Sequence, residues 1–143
     1  MKLTNDQIYT LGMQGIGKLN YGKLDPVNAM KAYRLRRDIV RLLREVNKAQ
    51  TEIKQDAWED KELLEKAIAY ENTRKGMTEE EYKAAIDENI PKAQALLLEF
   101  GKQECDVEVQ PITFDGWLQL LKDNPWLAGW EEILADFISE PLD

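Results

Sequence analysis

The chain has 143 residues, enough for one domain of ordinary size, and its 43% hydrophobic and 32% charged residues describe a folded, helix-biased chain and not a disordered one. It contains no histidine, one cysteine and one serine, which excludes Ser-His and Cys-His nucleophile systems, histidine-ligated zinc, the carboxylate–histidine di-iron motif and any intrachain disulfide. The net charge of −8 is unevenly placed: residues 31 to 54 hold eight bases against three acids, whereas residues 104 to 143 hold ten acids and one base, Lys122.

The N-terminus carries Asn5, Asp6 and Gln14 within "MKLTNDQIYTLGMQGIGK" and lacks the apolar core of a signal peptide. No apolar run approaches the roughly 20 residues that span a bilayer. A cytoplasmic protein with no membrane partner is the expectation.

Thr4 followed by Gln7 predicts a capping box, with Leu3 and Ile8 at the staple positions, so a short N-terminal helix should begin here. Gly12, Gly15 and Gly17 weaken its end and point to a loose or closely packed terminus. "GMQGIGKL" lacks both the order of a dinucleotide-binding loop and a Walker lysine-hydroxyl pair, so a phosphate loop is not expected.

Asp25-Pro26 predicts a second helix start, with no further glycine or proline before Gly76. Ala32, Leu35, Ile39, Leu42, Val46, Ala49 and Ile53 follow the spacing of a coiled-coil heptad seam. Unbroken to Arg74, this helix would be about 70 Å long. The seam lapses at Asp56 and Asp60, which predicts a break or a change of partner between Gln55 and Asp60. Gly76 and the capping box Thr78–Glu81 mark the turn into a helix carrying Tyr82, Ile86, Ile90, Ala93, Leu97 and Phe100 on one side. Pro91 should kink or split that helix. "CDVEVQPITF" changes the period to two and predicts a short edge strand or extended segment through Val107 and Val109, ending at Pro111. Asp115 and Asn124-Pro125 should cap two brief terminal helices.

The expected architecture is a single mainly α domain: residues 1–24 as N-terminal helix and linker, 25–103 as a long antiparallel helical hairpin, and 104–143 as an extended segment with a C-terminal helical cap.

Arg34, Arg37, Arg41, Arg44 and Lys48 recur along one face of the long helix. A cationic stripe of this kind can meet nucleic-acid phosphates. However, Asp38, Glu45 and Glu52 follow three of these bases at i+4 and partly neutralise it, and no stacking or helix-turn-helix motif accompanies it. The preferred reading is a wet helix flank or a surface for an acidic protein partner, with a nucleic-acid-binding accessory protein as the alternative. Trp117, Trp126 and Trp130 fall within fourteen residues and read as a small aromatic core or as apolar anchors for a partner.

Glu59, Glu62 and Glu65 have the E-x-x-E spacing of magnesium-dependent hydrolases, the second alternative. The matching E-x-x-D pattern occurs only at Glu140–Asp143. No catalytic residue, metal ligand or cofactor is assigned. Cys105 stands beside acids, with no base to activate it.

The stretches "LTNDQI", "GKLDPVNAMKAYRLRRDIVRLLREV" and "VEVQPITFDGWLQLL…LAGWEEILADFI" resemble a family of small helical proteins of unknown function encoded by tailed bacteriophages and prophages. In that family a basic, leucine-rich helix precedes an acidic helix, a short extended segment and a terminal apolar helix. The triple glycine and the additional tryptophans depart from its pattern. The resemblance implies a phage or prophage protein expressed with head or tail assembly genes, and it carries over no catalytic residue. The expected function is non-enzymatic protein–protein association, including self-association into an oligomer, because a hairpin about 70 Å long leaves parts of the heptad seam that so short a C-terminal cap cannot cover.

Overall fold

Thr4 does two jobs at once in the computed structural model, which describes residues 1–140. It ends a short strand, β1 (Lys2–Thr4), and caps the first helix, α1 (Asn5–Gln14). The Gln7 N–H donates to Thr4 Oγ1 at 3.1 Å, and the Thr4 N–H donates to Gln7 Oε1 at 2.9 Å, closing the expected capping box. The chain continues through α2 (Pro26–Asp56), α3 (Lys61–Thr73), α4 (Glu79–Lys102), β2 (Glu104–Asp106) and α5 (Phe114–Asp123). The mainly α class expected from the pattern is the class found.

Two compact units make up the chain: residues Met1–Val46 with Gln103–Asp143, and residues Asn47–Lys102. The division falls inside α2.

In the first unit β1 and β2 form an antiparallel pair in the register Lys2↔Asp106, Leu3↔Cys105 and Thr4↔Glu104. The edge strand thus lies at Glu104–Asp106, earlier than the Val107–Val109 alternation predicted. Because the pair is antiparallel, β2 runs toward Met1, and beyond Asp106 Val107 is held by the Met1 backbone. β1 itself was not legible as a strand. The α2 seam residues Ala32, Leu35, Ile39 and Val46 are buried. A Cβ on Gly12 would lie 2.5 Å from Leu43 Cδ2, so α1 meets α2 where only a glycine fits. Gly15, at φ 121°, ends α1 in a conformation that disfavours other residues. The start of α5 is a correction: Thr113, not Asp115, is its cap, its Oγ1 accepting from the Gly116 N–H at 3.1 Å. Pro125 opens only a single 3₁₀ turn, Pro125–Leu127. Ile112 bridges Ile138 in parallel above the fully buried Phe137.

In the second unit the long arm is divided where the seam lapses. α2 stops at Asp56, and Asp60 caps α3, its carboxylate accepting from the Leu63 N–H at 3.1 Å. α3 and α4 run antiparallel: Tyr70 packs on Tyr82 with ring centroids 4.8 Å apart, Ala67 meets Ala85 beside Trp58, and Glu59 pairs with Lys92 at 3.6 Å. The capping box Thr78–Glu81 is present. α4 continues unbroken through Pro91, against the expected split. Both Pro91 and Asp87 are exposed, so water can take the Asp87 carbonyl that a proline leaves without a donor. No helix is long and apolar enough to cross a membrane.

Candidate functional site

Two concave surfaces stand out, one in each unit. In the first, α2 presents Lys31, Arg34 and Arg37 alongside the irregular segment that follows β2. Between them lies a cleft of about 240 Å³ with Leu35, Val109 and Phe137 as its apolar floor. Arg34 Nη1 donates to Gln110 Oε1 at 3.1 Å and Lys31 Nζ donates to the Pro111 carbonyl at 3.0 Å. Arg37 Nε holds Asp38 Oδ1 at 3.0 Å, so Asp38 pairs with its neighbour and not with Arg34 four residues earlier. Arg36, outside the stripe, lies over the Tyr21 ring at 5.5 Å. Arg41 and Arg44 are exposed and form no ion pair among the described residues. Lys48, the last base of the stripe, belongs to the second unit and is exposed there.

The tryptophans divide. Trp117 and Trp130 are 3% and 7% exposed, and Trp130 Nε1 donates to Gln14 Oε1 at 2.6 Å. Both therefore fill the interior of the first unit, the aromatic-core reading, and offer no anchor to a partner. Trp126 is half-buried.

The second surface is an open groove of about 520 Å³, lined on its apolar side by Trp58, Leu64, Ile68, Ile86, Ile90 and Leu97. Lys54, from the end of α2, and Glu71, from α3, stand at its borders. Trp58 and Tyr70 are the large apolar side chains buried in this unit, and its other buried apolar residues are alanines. Ala57, Ala67, Ala85 and Ala93 are buried, whereas Ile68 and Ile90 are 38% and 42% exposed and Leu96 and Leu98 more so. Asn89 is buried and donates through Nδ2 to the Ala85 carbonyl at 2.8 Å. Glu71 Oε1 accepts from the Tyr82 hydroxyl at 2.5 Å, and this bond pushes the Tyr82 phenol above its ordinary range. Sequence reasoning missed the groove. Its signal was the Ile86–Ile90–Leu97 stripe of α4, which the sequence pattern assigns to packing within the hairpin.

The acidic candidates stay apart from metal chemistry in their geometry. Glu59 faces Lys92, Glu62 sits in the first turn of α3, and Glu65 is exposed; Asp143 lies outside the described residues. Among the described residues no group of three or more histidine, cysteine, aspartate or glutamate side chains is placed to hold a metal ion. Cys105 Sγ donates to Asn5 Oδ1 at 3.3 Å. Burial, and then the Glu45 and Asp106 carboxylates, push the thiol up, opposite to what a nucleophile requires. No family model, curated protein or solved structure matches the chain.

Proposed function

We propose that this chain is a non-enzymatic association protein, which pairs with a second copy of itself through the apolar groove of the Asn47–Lys102 unit. The observation that carries the reading is the packing there: an interior of alanines with only Trp58 and Tyr70 among them, and exposed Ile68 and Ile90 at the edges of a 520 Å³ groove. A unit this small buries little apolar surface alone, and a contiguous apolar patch bordered by charge marks an interaction surface. A second copy fits because the same face holds both a hollow and protruding isoleucines, as a two-fold interface requires. The α2 seam supports this less directly than the sequence suggested, since Leu35, Ile39 and Val46 are already buried within the chain.

The absence of histidine and the raised Cys105 thiol support a role without catalysis. The resemblance to small phage-encoded proteins supports a role in the cytoplasm of a bacterial host, alongside assembly of the particle.

Light scattering behind size exclusion, at low and at high salt, tests the reading. The wild-type chain should elute at twice its monomer mass at both salts. Ile68→Asp and Ile90→Asp should elute as monomers with unchanged helical circular dichroism, because both side chains are exposed in the single chain. A wild-type monomer throughout would overturn it.

A further inference from the structure

We infer that the first unit captures an extended, acidic peptide segment of a partner protein in the cleft between α2 and residues 107–111. This surface uses none of the side chains of the self-association groove.

Three observations converge. The cleft sets three cations, Lys31, Arg34 and Arg37, around the half-buried Val109, with the buried Leu35 and Phe137 beneath. An alternating peptide presents side chains to opposite faces, so carboxylates can meet the guanidinium groups on one face while an apolar side chain packs on Val109 on the other. Arg suits this role because its planar fork binds a carboxylate through two parallel bonds.

The second observation is in the backbone. Residues 107 and 112 are both held by strand-type pairing: the Val107 N–H donates to the Met1 carbonyl at 2.7 Å, and Ile112 bridges Ile138. Between them, Glu108, Val109 and Gln110 make no backbone hydrogen bond among the described residues. A row of free main-chain donors and acceptors, fixed at both ends, is a template for adding a strand.

The third is charge further along α2, where Arg41 and Arg44 are exposed without ion-pair partners. They extend the cationic track beyond the cleft for a longer acidic segment.

A peptide fits better than a nucleic acid. Main-chain N–H and C=O groups find both an acceptor and a donor in another peptide backbone, whereas a DNA sugar-phosphate backbone offers acceptors only.

The test is fluorescence anisotropy on the full chain with a labelled peptide alternating glutamate and valine. Three comparison probes are the same peptide N-methylated at alternate residues, a lysine–valine peptide, and a single-stranded oligothymidylate. The glutamate peptide should bind, and the lysine peptide should not. N-methylation, which blocks main-chain pairing without changing the side chains, should weaken binding at least about tenfold. Arg34→Ala with Arg37→Ala should do the same; both side chains are exposed, so the fold is spared. Undetectable binding of the glutamate peptide, or equal binding of the N-methylated one, would overturn the inference. So would oligothymidylate binding as tightly as the peptide and sharing its dependence on Arg34 and Arg37, which would assign the cleft to nucleic acid.

Discussion

Asn28 and Thr113, 85 residues apart, exchange hydrogen bonds: the Thr113 N–H donates to Asn28 Oδ1 at 3.2 Å, and Asn28 Nδ2 donates to Thr113 Oγ1 at 2.9 Å. Each residue also serves a helix start. Thr113 caps α5, and Asn28 Nδ2 donates to the α2 cap, Asp25, at 2.6 Å. One buried amide thus ties two helix N-termini together. Asn28→Ala removes three partners at once and should lower stability by about 1–3 kcal/mol in urea denaturation. Gly116→Ala should act in the same direction, since its Cβ would fall 2.8 Å from Asn28 Nδ2. An unchanged urea midpoint for Asn28→Ala would contradict the role given to this amide.

Trp58 is buried against Ala67 and Ala85, with Leu63, Leu64, Tyr82 and Ile86 packed around them. Removing it leaves a cavity that these half-buried side chains fill only in part, so Trp58→Ala should cost about 3–5 kcal/mol. The loss should be local. Hydrogen exchange should show lost protection across residues 47–102, while the β1–β2 amides keep theirs. Equal loss everywhere would mean that the two units unfold as one.

Acid sensitivity should report on Asp25. The Asn28 N–H bonded to its carboxylate at 3.2 Å holds the Asp25 pKa below the ordinary value in the folded chain. A group lowered on folding contributes stability that is complete above its unfolded pKa, about 3.9, and lost as pH falls through the folded value. Asp25→Asn keeps a capping side chain but cannot titrate. The difference in urea midpoint between wild type and Asp25→Asn should therefore be constant above about pH 5 and should change only at lower pH. A difference independent of pH would exclude this contribution.

Local chemistry was the legible part of the fold. Thr4–Gln7, Asp25 and Thr78–Glu81 each act as caps because the bonds they make span three residues and depend on nothing distant. The lapse of the seam before Asp60 likewise located the end of α2. Strand β1 could not be read, because three residues carry no usable alternation and their pairing is set by residues beyond position 100. The arginine stripe was visible, but not that Arg34 and Arg37 border a cleft, since its other wall comes from Glu108 to Gln110. The groove was hidden for a related reason. A hydrophobic stripe on α4 does not say whether its neighbours are large enough to cover it, and here the buried apolar ones are alanines apart from Trp58 and Tyr70.

The Met1 amine bonds to the Val107 carbonyl across 106 positions, and this long closure orders events during synthesis. At about 5–20 residues per second, the ribosome takes roughly 3–11 s to make the stretch between Val46 and Gln103. Helices α3 and α4, whose contacts are local, can form within that interval. The first 46 residues cannot complete their core, because β2, Ile112 and Phe137 have not yet been made. Leu35 and Ile39 thus stay open to water on the nascent chain until residues 104–138 have been made, so the first unit completes its core after the second.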